Sequence, residues 1–432
     1  MAKYQKYVEY KDSGVEWLGE IPSHWSAKRL GSFFEERREK VSDVDYSALS
    51  VTKNGIVPQL DTAAKTDAGD NRKLVKVNDF VINSRSDRKG SSGVSPYTGS
   101  VSLISIVMEP RRIYPAYAHH LLRSYPFQEE FYRYGKGIVA DLWSTNSSEM
   151  KNILLPDLPI AEQQNIANFL DHETAKIDTL IAKQEKLIEL LKEKRQAVIS
   201  DLVNIKTDEK SVKLKFAVDI LAGYSFSSTG FKTEEEKENG IALLRGINVG
   251  VDSVKWNEVV WWSKSDTLGL DRYFLKEGDI VFGMDRPWIS NGARVAEITK
   301  VDLPSYLVQR VARIRALKDF YQPYIKLVLT SAEFKAFIES DLTGVSVPHI
   351  STDQIISFEI RNLKYEEQVK QTTKIIDFSN KVEALIIKAE SAIQLMQERR
   401  TALISAAVTG KIDVRHWQSP NKNNEANMEL SA

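Results

Sequence analysis

Two polar segments of the chain contain the kinds of side chain that hydrogen-bond to nucleic-acid bases. Residues 84–92, the first polar loop, hold three cations, one anion and four serines, with no apolar side chain to bury. Residues 284–292, the second polar loop, combine arginine, tryptophan, serine and asparagine, and Arg294 follows them. Because arginine pairs best with guanine and asparagine with adenine, both loops could contact base edges. The simpler interpretation is that both segments are solvated hairpin loops that contact no base.

The residues that we expect to contact DNA all lie in polar loops or glycine turns. In the two polar loops and directly after the second they are Arg85, Arg88, Lys89, Ser91, Arg286, Trp288, Ser290, Asn291 and Arg294. Lys53, Asn54 and Arg245 lie in matching glycine turns elsewhere. Tyr134 and Lys136, in a Tyr-Gly-Lys-Gly segment, could contact a phosphate through backbone amides and charge. Of the pair Trp261-Trp262, we expect one ring in the core and one partly exposed, where it could stack on DNA.

Motifs for catalysis and for metal binding are absent from the sequence. The chain has no Pro-Pro pair, which excludes the Asn/Asp-Pro-Pro-aromatic turn of a DNA amino-methyltransferase. The Gly-Lys pairs at 135–136 and 410–411 continue into Gly and Ile, so neither is a nucleotide-binding loop. There is no cysteine, and the six histidines are scattered without zinc-site spacing. We interpret the adjacent His119-His120 as a helix face, and the chain as a binding protein without catalytic or metal site.

Composition is that of a globular protein and does not by itself suggest nucleic acid. Of 432 residues, 42% are hydrophobic and 27% charged, and the formal net charge is zero. This length predicts two to four domains. Because no segment is strongly basic, any DNA affinity must come from local clusters or from a partner. The absence of an apolar span, of a signal-peptide pattern and of cysteine leads us to expect a cytoplasmic protein.

The chain contains an internal repeat at an offset of 205 residues. This offset aligns Glu162-Gln163 with Glu367-Gln368, Leu180-Ile181 with Leu385-Ile386, and Arg195 with Arg400. Around these positions apolar residues recur in steps of three and four, which predicts two helices of roughly forty residues with an apolar seam. Pro156 and Pro159 mark the start of the first helix, and Gly410 the end of the second.

Ahead of each predicted helix lies a segment of mixed α and β character. Both segments contain an acidic turn followed by a strand (residues 77–82 and 277–282), then a short amphipathic helix (117–124 and 324–331). Both end with Ser-Thr, at 144–145 and 351–352, ahead of a strand. We therefore predict an α+β fold, in which two mixed α/β domains are joined by two long antiparallel helices, coiled-coil-like, about a pseudo-two-fold axis.

Three stretches resemble the specificity subunits of Type I restriction–modification enzymes. They are residues 11–25 (KDSGVEWLGEIPSHW), 156–170 (PDLPIAEQQNIANFL) and 403–414 (LISAAVTGKIDV). The resemblance implies target-recognition domains at 1–155 and 206–360 and helical spacers at 156–205 and 361–415. We predict a disordered tail at 416–432, because this segment is rich in Asn and Glu.

The resemblance also implies how such a chain would work. It would be a non-catalytic subunit that binds a bipartite, asymmetric site in double-stranded DNA, each domain reading one half. Two methyltransferase subunits and restriction motor-nuclease subunits would be its partners. The resemblance further implies that S-adenosylmethionine, ATP and Mg²⁺ bind only to those partners.

Two other classes of function compete with this interpretation. A coiled-coil scaffold with protein-binding ends would explain the neutral charge better, but not why the end domains diverge while the helices stay similar. A stand-alone enzyme has no motif in its favour. A neighbouring gene with the Asn-Pro-Pro-aromatic motif would support the specificity subunit against both.

Overall fold

The computed structural model describes residues 4–60, 69–137, 143–289, 292–340 and 349–418. The chain divides into two compact units. Unit 1 comprises Met1–Glu185 and Glu390–Ala432, and unit 2 comprises Lys186–Ala389. Two helices of 44 residues contribute to both units. Within the described residues, neither these helices nor any shorter one is long and apolar enough to cross a membrane.

Unit 1 is built on an antiparallel four-stranded sheet of order β10-β9-β12-β4, beside a three-stranded sheet of order β11-β8-β5. Its strands are β1 Tyr10–Asp12, β2 Glu20–Pro22, β3 Ser26–Arg29, β4 Phe34–Glu36, β5 Lys40–Val41, β6 Leu49–Thr52, β7 Gly55–Pro58, β8 Arg72–Val75, β9 Phe80–Asn83, β10 Ser92–Val94, β11 Gly99–Val101, β12 Ser105–Pro110 and β13 Leu154–Asp157. Its helices are α1 Pro115–Arg123, α2 Tyr125–Arg133, α3 Ser147–Asn152, the first part of α4 Ile160–Val203 and the last part of α8 Tyr365–Val408.

Strand β9 is buried on both faces, which explains its continuous apolar run. Phe80 and Ile82 point into the larger core with Tyr117 and Leu121 of α1. Val81 points to the opposite side, into a smaller cluster between the two sheets. Burying each such side chain stabilises the fold by roughly 1.5–3 kcal/mol. The central strand is thereby fixed in register, and the loop that follows it has a rigid base.

Unit 2 has a four-stranded antiparallel sheet of order β15-β23-β18-β21 and a three-stranded sheet of order β17-β16-β22. Its strands are β14 Ser211–Lys213, β15 Val218–Ala222, β16 Gly240–Leu244, β17 Trp261–Ser263, β18 Ile280–Gly283, β19 Trp288–Ile289, β20 Gly292–Ala293, β21 Val295–Glu297, β22 Ser305–Leu307, β23 Val311–Ala316 and β24 Glu359–Arg361. Its helices are α5 Gln322–Leu329, α6 Ala332–Ser340, α7 Thr352–Ser357 and parts of α4 and α8 Tyr365–Val408.

The predicted acidic turn before a buried strand is confirmed in both units. In unit 1, Asn78 has a φ of 74° and the Asp79 carboxylate accepts the backbone N–H of Lys76 at 2.8 Å. In unit 2, Gly278 has a φ of 84° and Asp279 accepts the corresponding N–H of Lys276 at 2.8 Å. Asparagine and glycine are the residues that tolerate this left-handed backbone best. The turn aims the following strand, β9 or β18, into the core.

One detail of the secondary structure differs from the sequence interpretation, and it does so in both units. The Ser-Thr pairs do not lead directly into a strand, because the short helices α3 and α7 intervene. In unit 2 the reason is an N-cap: the Ser351 hydroxyl accepts the N–H of Gln354 at 3.2 Å. The short helices α1 and α5 were predicted and are confirmed.

The long helices begin and end where the sequence predicts. Helix α4 begins at Ile160, directly after Pro159, and α8 ends at Val408 ahead of Gly410, whose φ is 73°. The predicted apolar seam needs correction at Leu180 and Leu187 of α4 and at Leu385 of α8, which are exposed. Neighbouring residues on a helix lie about 100° apart, so only one of each adjacent apolar pair can face the partner. For Leu180-Ile181 that residue is Ile181, which packs on the core of unit 1.

Candidate nucleic-acid interface

The first polar loop connects the antiparallel strands β9 and β10. Asn83, the last residue of β9, holds the base of the loop. Its Oδ1 accepts the N–H of Arg85 at 3.1 Å, and its own N–H donates to the Ser91 carbonyl at 2.9 Å. Ser91 is buried, so it belongs to the base of the loop. The DNA contact predicted for the Ser91 side chain does not fit this position.

Arg85 and Arg88 are the cations of the first polar loop that are open to a ligand. Both are exposed, and Arg88 leaves 68% of its side chain in solvent. The ion pair of Arg88 with the adjacent Asp87 is long, at 3.6 Å, and contributes little. Lys89 is more constrained, because its Nζ lies 2.6 Å from a carboxylate oxygen of Glu129. The two guanidinium groups are therefore available to donate hydrogen bonds to a bidentate ligand such as a base edge or a phosphate.

Ser144 joins the predicted Tyr134–Lys136 contact region to the first polar loop. It forms isolated β-bridges with both Arg85 and Lys136, and its hydroxyl donates to the Ser84 Oγ at 2.9 Å. Lys136 is 72% exposed and pairs with Glu149 at 2.6 Å, while Tyr134 packs partly on the core. The role of Ser144 was not predicted. Its position in the polar run before α3 was the available signal, because Ser and Thr often tie loops together.

Lys53 and Asn54 form the exposed two-residue turn between strands β6 and β7. The turn is held from below by Arg123, whose Nη2 donates to the Lys53 carbonyl at 2.6 Å. Nη1 of the same arginine donates to Nε2 of His119 at 2.7 Å. Burial and the adjacent Arg123 charge lower the pKa of His119 to about 3, so the ring is neutral near pH 7.

The two adjacent histidines both lie on α1, as interpreted from the sequence. Nε2 of His120 lies 2.7 Å from a carboxylate oxygen of Asp171, so this ring faces α4. His119 supports the Lys53-Asn54 turn through Arg123. Each histidine therefore has a structural partner on a neighbouring element.

The second polar loop begins after β18 and contains the exposed Arg286, whose φ is 44°. Arg286 forms no ion pair with any residue of the described ranges. Trp288 is half-buried and packs on Phe282 and Phe334, with ring centroids 6.2 and 5.9 Å away. Its ring is thereby used in the core of unit 2. Ser290 and Asn291, also predicted contacts, lie outside the described residues.

Arg294 and Arg245 are held by backbone carbonyls. Arg294 donates through Nε to the Val249 carbonyl at 3.0 Å and through Nη1 to the Asp285 carbonyl at 2.7 Å. Burial lowers the pKa of the Arg294 guanidinium. Arg245 donates through Nη2 to the Glu258 carbonyl. Both arginines shape the loop ends, and neither is as free as Arg286 to bind a ligand.

A charged cluster that the sequence did not predict lies at the same end of the sheet. Arg310, in the turn between β22 and β23, has a φ of 70° and donates from Nη1 to Asp285 at 3.1 Å. His349 lies 2.6 Å from the same carboxylate oxygen. The Arg310 carbonyl accepts the N–H of Met284, at the start of the second polar loop. The signal was a polar Gln-Arg pair between two apolar strands, a position typical of a tight turn.

Trp261 and Trp262 are both half-buried, which differs from the expected division into a core ring and an exposed ring. Trp262 packs on Phe226 with centroids 5.0 Å apart, and its Nε1 donates to the Asp266 carbonyl at 2.7 Å. Trp261 lies over Gly240, where an added Cβ would meet its Cβ at 2.5 Å. Because both rings have protein neighbours, neither is placed to wedge between bases.

Comparison with known proteins finds relatives of one kind, whose sequences align with nearly the whole chain. The Type I restriction enzyme MjaVIII specificity subunit from Methanocaldococcus jannaschii is 26% identical over 425 residues, which cover 92% of this chain and 95% of that protein. No family model matches the chain.

Two solved structures share the fold. One, from work on complex assembly and conformational transition of the type I R-M system, has a TM-score of 0.71 at 14% identity and covers 91% of this chain and 99% of that chain. The other, the HsdS subunit from Thermoanaerobacter tengcongensis, has a TM-score of 0.54 at 16% identity and covers 91% and 98%. The expected mixed α/β fold is therefore confirmed as the fold of these structures.

Proposed function

We propose that this chain, a homologue of the specificity subunits of Type I restriction enzymes, recognises a bipartite, asymmetric sequence in double-stranded DNA. The resemblance stated from three sequence stretches is confirmed, because the relatives that span the chain are specificity subunits. A specificity subunit is the non-catalytic part of such an enzyme, and this assignment stands for the chain as well.

The observation that carries the proposal is a matched pair of polar loops. Each follows the buried central strand of a four-stranded antiparallel sheet, β9 in unit 1 and β18 in unit 2. Each presents an exposed arginine, Arg88 or Arg286. A loop fixed on a rigid sheet is suited to direct readout, because its side chains are held in place before DNA arrives. The loops differ in sequence, so the two half-sites would differ as well.

The internal repeat supports two readers of common origin, one in each unit. Gln163 accepts the N–H of Tyr114 at 2.8 Å and donates to the Leu158 carbonyl at 3.0 Å. Gln368, 205 residues later, accepts the N–H of Tyr321 at 2.9 Å and donates to the Leu363 carbonyl at 2.8 Å. The same amide therefore ties the start of a long helix to the start of a short one, separately in each unit. On this basis we propose the domain limits 1–155, 156–205, 206–360 and 361–415; most of the proposed tail, 416–432, lies outside the described residues.

We propose that α4 and α8 form an antiparallel spacer. In unit 1, Nε of Arg400 donates to Asp178 at 2.8 Å. In unit 2, Nη1 of Arg195 donates to Glu383 at 3.2 Å, and Ile199 shares a core with Ile375. Residue numbers rise on one helix as they fall on the other, which is the order expected for antiparallel neighbours. A rigid pair of this kind would set the length of the unread gap between the half-sites.

The proposed partners are two methyltransferase subunits and restriction motor-nuclease subunits, which would bring S-adenosylmethionine, ATP and Mg²⁺. Leu187 and Leu190 of α4 lie one helical turn apart and are about half exposed. Large apolar side chains without a partner on one helix face are typical of a protein contact. We propose that this face docks a methyltransferase subunit.

Methylome sequencing tests the proposed function. Cells that express this chain with the adjacent methyltransferase gene are compared with cells in which this gene alone is deleted. We expect deletion to remove one gapped, asymmetric N6-methyladenine motif, because the methyltransferase would lose its guide to the site. An unchanged methylome, with expression of both genes verified, would contradict the proposal and favour the scaffold interpretation.

A further inference from the structure

A small polar cavity in unit 2 lies apart from the second polar loop, on the face of the four-stranded sheet that points toward β16 and β22. Its volume is about 350 Å³. Its charged lining residues are Asp219, Asp271, Arg272, Lys276, Arg313 and Arg315. Three elements supply them: the edge strand β15, the segment before β18, and the inner strand β23.

Arg313 is the unusual member of this lining. Only 7% of its side chain is exposed, yet its Nε–H finds no acceptor within the described part of the chain. Its Nη2 donates to Asp219. A buried donor of this kind carries an uncompensated desolvation cost until an acceptor arrives. The guanidinium therefore has one donor, Nη2, satisfied by protein and another, the buried Nε–H, without an acceptor in the described part of the chain.

The charges around Arg313 favour an anion. Arg315 is already neutralised, because Asp279 accepts from both its Nε and its Nη2. Arg272 and Lys276 are exposed at the rim. With Arg313 they outnumber the carboxylates of Asp219 and Asp271 by one. Burial, and the like charges of Arg315 and Arg272, lower the pKa of Arg313, as expected where positive charge is in excess.

The corresponding position of unit 1 shows that the sheet itself needs no arginine there. Arg313 is the register partner of Val281 on β18. In unit 1, the register partner of Val81 on β9 is Val107, which is fully buried. An aliphatic residue thus fills the same place in a sheet of the same order. Arg313 is an addition particular to unit 2, and its presence calls for a reason other than packing.

We propose that this cavity binds a phosphate group, with Arg313 as the buried donor and Arg272 and Lys276 as the cations at its rim. Guanidinium groups match the geometry of phosphate oxygens, and the excess of one positive charge suits a phosphodiester. The phosphate could come from the DNA backbone or from a small free phosphate. Binding of a DNA phosphate rests on the proposed function, whereas binding of a free phosphate does not depend on it.

Isothermal titration of sodium phosphate into the full chain tests the site, with ionic strength held constant by sodium chloride. We expect the wild-type chain to bind one phosphate and Arg313→Val to lose this binding. Valine is what unit 1 holds at this place, so the variant should fold; its thermal unfolding verifies this. Arg272→Gln, at an exposed position, should weaken phosphate binding several-fold. Lys300→Gln, an exposed lysine of unit 2 outside the cavity, is the control and should change nothing.

The salt dependence of duplex binding then separates the two sources. If a DNA phosphate occupies the cavity, Arg313→Val should reduce the slope of log K against log salt by about one. Binding of inorganic phosphate that Arg313→Val abolishes, with an unchanged slope, assigns the site to a free phosphate. If Arg313→Val changes neither the binding of inorganic phosphate nor the salt slope, the proposal is overturned. Duplex binding and methylation by the wild-type chain are measured in the same experiments. If both are present while Arg313→Val has no effect, only the phosphate site is refuted and the proposed function is not.

Discussion

The exposed arginines of the two polar loops differ from four other predicted contacts in how their side chains are held. Arg294 and Arg245 donate to backbone carbonyls, and Lys89 and Lys136 pair with glutamates at 2.6 Å. A side chain that is already bonded must give up a partner before it binds DNA. Within the described ranges, Arg88 has only its long contact with Asp87 to lose. At this scale, availability rather than charge identifies the residues most suited to readout.

Replacement of Arg88 by glutamine should weaken specific DNA binding without destabilising the fold. A direct arginine contact to a base contributes about 1–3 kcal/mol of discrimination, so we expect roughly a five- to 150-fold loss of affinity for the target. Because Arg88 is exposed and weakly paired, thermal unfolding should be unchanged. The measurement is fluorescence anisotropy with a duplex that carries the methylated motif.

Arg112→Gln is the matched control for that experiment. Arg112 is also exposed in unit 1, but it follows the end of β12 opposite to the first polar loop, because β12 runs antiparallel to β9. Equal losses in the two variants would mean that Arg88 acts only through general charge, and the assignment of the loop to readout would then be wrong.

At the scale of elements, the sequence predicted those features that depend on local periodicity and turn chemistry. The two helices of 44 residues, the short helices α1 and α5, and the acidic turns at Asp79 and Asp279 all follow from such patterns. What depends on packing could not be predicted. The burial of Ser91 and the exposure of Leu180 are examples, since both are decided by neighbours distant in sequence.

The candidate site shows the same division. The sequence identified the two polar loops because their composition leaves nothing to bury. It did not predict the roles of Ser144, Asp285 or Arg310, because each acts through a partner that a long-range strand pairing brings near. Trp288 was predicted as a DNA contact because it lies in a polar loop. An aromatic residue in a loop can equally pack on the core, as its contact with Phe334 shows.

The exposed face of α4 gives a prediction at the scale of this element. Replacing both Leu187 and Leu190 by serine should reduce binding of the methyltransferase subunit at least tenfold, because their apolar area would no longer be buried on docking. DNA binding by the isolated chain should be retained, since the polar loops are untouched. Co-purification with the tagged methyltransferase subunit measures the effect.

The control for the docking face is a double variant that combines Lys186→Ser with Glu189→Ser. These residues pair with each other at 2.7 Å on the same helix and are both exposed, so they test the effect of surface changes in general. Comparable losses of co-purification in both double variants would argue against a specific role for the two leucines.

For the whole molecule, the proposed function, in which each unit reads one half-site, predicts that the two halves of the DNA site are read independently. Each polar loop is anchored within its own unit: Asn83 holds the first, and the Met284–Arg310 backbone contact holds the start of the second. Additivity is expected for sites that share no partner.

Selection of bound duplexes from a library randomised over the target site tests this independence. Arg88→Gln should relax base preference in one half-site, and Arg286→Gln should relax it in the other, with the gap length unchanged in both. The double variant should show both changes at once, since the two contacts belong to separate units. If either single variant relaxed both halves, one loop would have to influence the whole site. The chain would then act as a single reader, and the correspondence between the repeated sequence and a bipartite target would be lost.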